Sequence, residues 1–191
     1  MEERDYSKKI ITIPNLLSMF RLVLAFVFFI SYTKAESREE YWISLGILLV
    51  SAFTDVMDGK IARHFHMISE VGKILDPVAD KVTQGFVMLA LISRYPLMGA
   101  LFAIFLVKEC YMSGMGLKVL RTTGWNGGAM WYGKLNTVVL YAVSILLILY
   151  YNMPYVAANC LIGICCISIL FCFYHYHIKF KEILKQHYQE Q

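Results

Sequence analysis

The sequence predicts an all-α integral membrane protein with six transmembrane helices and a short N-terminal interfacial segment, in a single domain over residues 1–191. Two observations predict this class. The chain is 58% hydrophobic with a mean hydropathy of +0.54, whereas soluble domains are usually about 45–50% apolar. The apolar residues also gather in blocks of about 20, the length that a helix needs to span a bilayer. These blocks occupy nearly the whole chain, so any chemistry must take place among the helices.

The boundaries of the blocks are consistent with helices. Residues 1–13 are polar and form the interfacial segment, and Pro14 suits the first turn of a helix. The loop at 34–40 is polar, the loop at 121–131 is rich in glycine, and a basic tail follows residue 178. The predicted spans are 14–32, 41–64, 71–93, 96–120, 132–151 and 154–178.

Lysine and arginine predict the orientation. With a cytoplasmic N-terminus, the external loops carry only Lys34, Arg38 and Arg94 of the eighteen Lys and Arg residues. This asymmetry follows the positive-inside rule and predicts a multi-pass protein of the cell membrane with both termini in the cytoplasm. The net charge of +4 is then explained by topology and by contact with anionic membrane lipids, so it requires no nucleic-acid partner.

Four of the five aspartates lie at the cytoplasmic ends of two consecutive predicted helices: Asp55, Asp58, Asp76 and Asp80. Asp55 and Asp58 are three residues apart, and Asp76 and Asp80 are four apart, so each pair projects from one helix face. The loop at 65–70 is short, which predicts antiparallel neighbours whose acidic faces converge.

Such a cluster requires compensation. A carboxylate near the bilayer centre costs about 2.5–3.5 kcal/mol, and four facing carboxylates repel one another. Oxygen ligands without His or Cys suit Mg²⁺, Mn²⁺ or Ca²⁺ rather than zinc. The sequence therefore predicts a divalent metal site at the inner membrane face. The alternative is a set of helix-end salt bridges to Arg63, Lys73 and Lys81.

The acidic residues and their small neighbours resemble the signature of the CDP-alcohol phosphotransferases. Members of that family cleave the pyrophosphate of a CDP-linked donor, pass its phosphoryl-bearing group to an alcohol and release CMP. The resemblance also implies the usual homodimer of the family. The matching positions are Asp55, Asp58, Gly59, Ala62, Arg63, Gly72, Asp76 and Asp80.

The resemblance implies a role for each of these positions. Asp55, Asp58 and Asp76 would hold one or two Mg²⁺ or Mn²⁺ ions, and Asp80 would complete the site. Asp80 would also be the base that takes the proton of the acceptor alcohol. The CDP part of the donor would contact Gly59, Ala62, Arg63 and Gly72.

Segments 13–18 and 75–81 look like those of phosphatidylglycerophosphate synthases and of the cardiolipin synthases of this fold, which implies CDP-diacylglycerol as the donor. The first expectation for the acceptor is glycerol 3-phosphate, and the alternative is phosphatidylglycerol. Gly116 replaces an arginine that is usual in glycerophosphate synthases, whereas 134–137 and 174–176 look more like cardiolipin synthases. The cations expected to bind the acceptor are Arg21, Lys108, Lys118, Arg121 and Lys134.

A transporter or ion-binding membrane protein is the remote alternative from a different class. Such proteins also place acidic residues within spans, usually near the bilayer midplane. Here the acids gather at one membrane face, which favours the enzyme.

Overall fold

The protein is described by a computed structural model that covers residues 12–64, 70–125, 130–150 and 152–189. Within these ranges, only the backbone is described at positions 13, 55, 56, 58–64, 70, 71, 73, 74 and 188. The described chain forms six α-helices and no strand: α1 (Ile13–Lys34), α2 (Arg38–His64), α3 (Glu70–Ile92), α4 (Leu97–Thr123), α5 (Trp131–Leu149) and α6 (Tyr155–Gln189).

The all-helical prediction is confirmed, whereas six transmembrane helices are not. Among the described residues, four helices are long and apolar enough to cross a membrane: Pro14–Lys34, Leu97–Thr123, Trp131–Leu149 and Tyr155–His187. In α3, the charges of Asp76, Asp80 and Lys81 interrupt the apolar pattern. The predicted interfacial segment lies outside the described residues, except for its last two positions.

The sixth helix extends further than its apolar block predicts. The sequence indicated an end at residue 178 followed by a basic tail, but α6 continues to Gln189. The extension retains a buried stripe: Phe180 is 4% exposed, and Ile183, Leu184 and His187 are half-buried. Their i, i+3, i+4, i+7 spacing places them on one helix face, so packing sustains the helix where hydropathy alone indicated a tail.

The chain divides into two compact units, residues 1–93 and residues 94–191. The first contains α1, α2 and α3, and the second contains α4, α5 and α6. The single domain over 1–191 stays a prediction.

In the first unit, α1 packs against both α2 and α3. Ser31 of α1 shares a hydrogen bond of 2.8 Å with Ser44 of α2, and the rings of Tyr32 and Tyr41 meet edge to face. Phe29 packs against Phe86 of α3. Together with a contact between residues 18 and 76, these pairs show that α1 runs antiparallel to α2 and parallel to α3.

The buried faces of these three helices change character along their length. The end near Tyr32 is apolar, with Phe28, Leu45, Leu48, Val87, Met88 and Leu91 in the core. The other end is polar, with Asn15, Ser18, Arg21, Thr54, Thr83 and Gln84 all at least nine-tenths buried. The buried face of this unit is therefore apolar at one end and polar at the other.

Side-chain caps define where α1 and α2 begin. The amide of Asn15 donates to the hydroxyl of Thr12 at 3.4 Å, and Pro14 occupies the first turn. At α2, the amide of Glu40 donates to the Ser37 hydroxyl while the Glu40 carboxylate accepts from the amides of Ser37 and Glu36. These amide hydrogen bonds lower the pKa of Glu40. The two helix starts are thus set by local chemistry.

In the second unit, α6 packs against α4 and α5. Tyr111 of α4 meets Phe173 with ring centroids 4.9 Å apart, and Tyr132 of α5 meets Tyr176 at 4.6 Å. The hydroxyl of Ser168 donates to the side-chain oxygen of Asn136 at 3.2 Å. Aromatic contacts and a part-buried hydrogen bond between Ser168 and Asn136 therefore help to join these helices.

Gly133 provides the closest approach in this unit. The amide of Met130, at the start of α5, donates to the Tyr176 hydroxyl at 3.2 Å. A Cβ on Gly133 would lie 2.7 Å from that same hydroxyl oxygen. Only glycine allows the Tyr176 ring to lie against the first turn of α5.

We expect Gly133→Ala to lower the thermal unfolding midpoint, because the added methyl group must displace Tyr176. The loss should be smaller in a Tyr176→Phe background, where the nearest atom becomes the ring carbon Cε2 at 3.3 Å. Gly163→Ala is the control, since nothing lies within 4 Å of its added Cβ. Equal midpoints for Gly133→Ala and Gly163→Ala would contradict the close approach.

Candidate functional site

Helix α3 carries two of the four predicted acids. Asp76 and Asp80 lie one turn apart and are both half-buried. Gly72, one turn before Asp76, is buried. The helix thus presents two carboxylates and a small residue from one face, as their spacing predicted.

A hydrogen bond from α1 holds Asp76. The hydroxyl of Ser18 donates to Oδ1 of Asp76 at 2.5 Å, and Ser18 is fully buried. The carbonyl of Pro14, one turn earlier on α1, lies 3.1 Å from the same hydroxyl. A hydrogen bond to an ionised acceptor is short and strong, so the Asp76 carboxylate is the favoured partner.

Asp80 is approached by the side-chain amide of Gln84. The amide nitrogen of Gln84 lies 3.5 Å from Oδ2 of Asp80, at the outer limit for a hydrogen bond, and Gln84 is 3% exposed. Ser18 and Gln84 were not among the residues predicted for the site. The signal for Ser18 is the i, i+3 series Asn15, Ser18, Arg21, a polar stripe in an otherwise apolar helix.

The other two acids lie on α2, where their side chains are outside the description. The backbone still gives their level. Asp58 follows Ser44 by fourteen residues, and Ser18 precedes Ser31 by thirteen. Because α1 and α2 are antiparallel and Ser31 contacts Ser44, Asp58 lies at about the height of Ser18 and hence of Asp76.

The remaining signature positions on α2 are Gly59, Ala62 and Arg63, in the last turns of that helix. Their side chains also lie outside the description, so their contact with the donor stays a prediction. The same holds for the convergence of all four acids.

The ligand chemistry of the described acids determines which cation they could hold. No group of three His, Cys, Asp or Glu residues forms among the described side chains, which include only Asp76 and Asp80 of the four acids. These two supply oxygen ligands one helical turn apart, and the Ser18 hydroxyl donates to Asp76. An oxygen-only set of this kind fits Mg²⁺ or Mn²⁺.

The predicted acceptor cations have different surroundings. Arg21, in the first unit, is 2% exposed and lies one turn past Ser18 on the same face of α1. In the second unit, Lys108 is 5% exposed and pairs with Oε1 of Glu109 at 2.6 Å. Lys118, Arg121 and Lys134 are exposed. Lys108 therefore has a countercharge, and the role of all five in acceptor binding stays a prediction.

Lys108 also borders an apolar cleft. The cleft has a volume of about 340 Å³, and its other lining residues are Ala103, Ile104, Val107, Ile169, Leu170 and Phe173. In such surroundings an ammonium group is stable only with a partner, and Glu109 provides one. One turn of α4 further on, the Tyr111 hydroxyl hydrogen-bonds Nδ1 of His177, a pairing that the sequence did not indicate.

A model of the CDP-alcohol phosphatidyltransferase family matches residues 11–174. The chain belongs to this family. It is 33% identical to a CDP-diacylglycerol–glycerol-3-phosphate 3-phosphatidyltransferase of Aquifex aeolicus, over 91% of this chain and 99% of that protein. It is 32% identical to a cardiolipin synthase of Streptomyces coelicolor, over 77% of this chain and 70% of that protein.

A shorter match links the chain to the cardiolipin synthase of Homo sapiens, 44% identical over 37% of this chain and 23% of that protein. The family and these relatives make the chain a phosphatidyltransferase of phospholipid synthesis, with apolar helices that fit a membrane protein. The transporter alternative therefore loses its support. The names of the relatives specify two different reactions.

We expect the Lys108–Glu109 pair to show strong coupling in a double-mutant cycle. Glu109→Gln leaves the Lys108 ammonium among apolar side chains without its countercharge. This single variant should therefore lower the unfolding midpoint more than the double variant Lys108→Met/Glu109→Gln does. The exposed pair Lys179–Glu182, at 3.4 Å, is the control and should couple by less than about 1 kcal/mol. Additive effects at 108 and 109 would show that the pair contributes little.

Proposed function

We propose that this phosphatidyltransferase uses CDP-diacylglycerol as donor and the glycerol hydroxyl of phosphatidylglycerol as acceptor, and forms cardiolipin and CMP. The acceptor oxygen bonds to the phosphorus of the phosphatidyl group, and the pyrophosphate bond to CMP breaks. The acceptor loses one proton in this step. The observation that supports this chemistry is the pair of oriented carboxylates on α3 within the family signature.

Asp80 is the proposed base. It is half-buried and lies one helical turn after Asp76 on α3. The Gln84 amide approaches its Oδ2 at 3.5 Å. A positioned base of this kind typically contributes about 10²–10⁴-fold to a rate.

Asp55, Asp58, Asp76 and Asp80 are the proposed ligands of one or two Mg²⁺ or Mn²⁺ ions. When bound, the ions would neutralise the pyrophosphate and the charge that develops as CMP leaves. Gly59, Ala62 and Gly72 would allow the CDP group to lie against the helices, and Arg63 would bind a phosphate.

The surroundings of the cations support phosphatidylglycerol over glycerol 3-phosphate. A phosphate monoester is a compact dianion, and removing it from water is costly unless several cations meet it. Lys108, the buried cation of the second unit, is already neutralised by Glu109, while Lys118, Arg121 and Lys134 are exposed. Gly116 replaces a further arginine, and a Cβ there would meet the Phe180 ring at 3.9 Å.

Glycerol 3-phosphate is the second candidate acceptor. It is supported by the Aquifex aeolicus relative, which aligns over nearly the full length of both chains and whose name specifies that acceptor. In that case the exposed cations Lys118, Arg121 and Lys134 would bind the phosphate.

The proposed setting is the cell membrane, with six spans, both termini in the cytoplasm and the acids at the cytoplasmic face. Two features support six spans. The four apolar helices fit a membrane, and α1, itself one of them, packs against α2 and α3. A homodimer is proposed from the family resemblance.

Asp80→Asn should reduce turnover by about 10²-fold or more, because an amide cannot accept the proton. Binding of CDP-diacylglycerol should be largely retained. Asp5→Asn, at the one aspartate outside the signature, is the matched control. Wild-type protein in excess chelator should also lose activity and regain it with Mg²⁺ or Mn²⁺. Near-normal turnover by Asp80→Asn would refute the base assignment, and full activity in chelator would refute the metal.

To test the acceptor, purified protein is given CDP-diacylglycerol together with either phosphatidylglycerol or glycerol 3-phosphate. The lipid products are then identified by mass spectrometry. We expect cardiolipin from phosphatidylglycerol, with little dependence on salt, because the bilayer concentrates this acceptor. Lys134→Gln should leave the KM for phosphatidylglycerol nearly unchanged, as should the control Lys185→Gln.

Turnover of glycerol 3-phosphate alone would select the second candidate. Its KM should then rise about tenfold or more in Lys134→Gln, since a hydrogen bond to a charged group contributes about 1.5–3 kcal/mol. That KM should also rise with salt, which screens exposed charges.

A further inference from the structure

The hydroxyl of Ser18 directly connects a buried helix face to a signature carboxylate. Ser18 has no exposed surface, and its oxygen lies 2.5 Å from Oδ1 of Asp76. Asp76 is 58 residues away in sequence and on another helix. The hydrogen bond between Ser18 and Asp76 therefore links the polar end of α1 to α3.

The hydroxyl carries one proton, and two acceptors lie close to it. The Pro14 carbonyl is 3.1 Å away, and Oδ1 of Asp76 is much closer. An ionised carboxylate accepts a stronger hydrogen bond than a neutral carbonyl that already belongs to a helix. The proton is thus directed to Asp76, and the Pro14 carbonyl keeps the serine oxygen near its helix.

The backbone of the helix turn that precedes Ser18 is restrained. The Thr12 hydroxyl caps the first turn of α1, and Pro14 restricts the backbone of that turn. An aspartate side chain, by contrast, has a broad terminal torsion and no preferred rotation of its own carboxylate plane. A donor fixed at 2.5 Å from Oδ1 selects one rotation, and thereby selects which oxygen and lone pairs remain for a ligand.

We infer that Ser18 is a positioning residue for the metal site: it orients the Asp76 carboxylate toward the divalent cation. This inference rests on the metal site proposed above. Hydrogen-bond partners of metal ligands typically change metal affinity by about 10–100-fold when they are removed. Ser18 acts through Asp76 and does not itself contact the cation.

A purely structural role would give a different result. Ser18 could simply join α1 to α3, and its loss would then lower stability without changing metal affinity. Ser31 offers a matched comparison, because it is also a serine of α1 and joins that helix to Ser44 of α2 at 2.8 Å. Ser31 lies at the apolar end of the unit, far from the acids.

The test is a titration of the full-length protein in nanodiscs with Mn²⁺ alone, followed by electron paramagnetic resonance in the absence of any substrate. Ser18→Ala should weaken Mn²⁺ binding about 10–100-fold. Ser18→Cys retains nearly the same size with a much weaker donor, so it should also lose affinity while the unfolding midpoint stays near that of wild type. Ser31→Ala should bind Mn²⁺ as the wild type does.

Each outcome decides the inference. Wild-type affinity in Ser18→Ala or Ser18→Cys would overturn the role of Ser18 while leaving the proposed metal site intact. Equal losses in Ser18→Ala and Ser31→Ala would also overturn it, since they would indicate a general effect of loosening α1. A wild-type protein that binds no Mn²⁺ would overturn both the metal site and this inference. Activity with either acceptor does not enter the readout.

Discussion

The central constraint on this protein is the need to place ionised carboxylates among apolar helices. A bare carboxylate is unstable at such depth, so each must find a hydrogen-bond donor or a cation. The first unit meets this need by changing the buried faces of α1 and α3 from apolar to polar along their length. The Ser18–Asp76 hydrogen bond lies at the polar end of this gradient and links the two helices.

The second unit handles buried charge in another way. Lys108 lies beside an apolar cleft and pairs with its neighbour Glu109, so the countercharge comes from the same helix turn. The helices of this unit are also joined by aromatic contacts of α6 with α4 and α5, and the Tyr176 ring lies over Gly133. The basic groups at its surface are thus supported by a scaffold that depends little on charge.

These two solutions have different consequences for chemistry. Asp76 accepts a hydrogen bond from the neutral hydroxyl of Ser18, which orients a carboxylate without adding a countercharge. Lys108 is paired with an acid, so its charge is balanced within α4.

The sequence by itself determined the helical class, most helix boundaries and the family, because apolar blocks and the spacing of the signature are local properties of the chain. It also placed Asp76 and Asp80 on one helix face, since the period of a helix fixes that relation. It did not predict the extension of α6 to Gln189, which depends on the burial of Phe180.

Only the tertiary structure decided which groups meet across helices. Ser18 and Asp76 are 58 residues apart, and Tyr176 reaches Gly133 from another helix. The pairing of Lys108 with Glu109 and the apolar cleft beside it are likewise seen only in the structure. Such contacts depend on helix register and direction, and these are set by packing over the whole unit rather than by any local pattern.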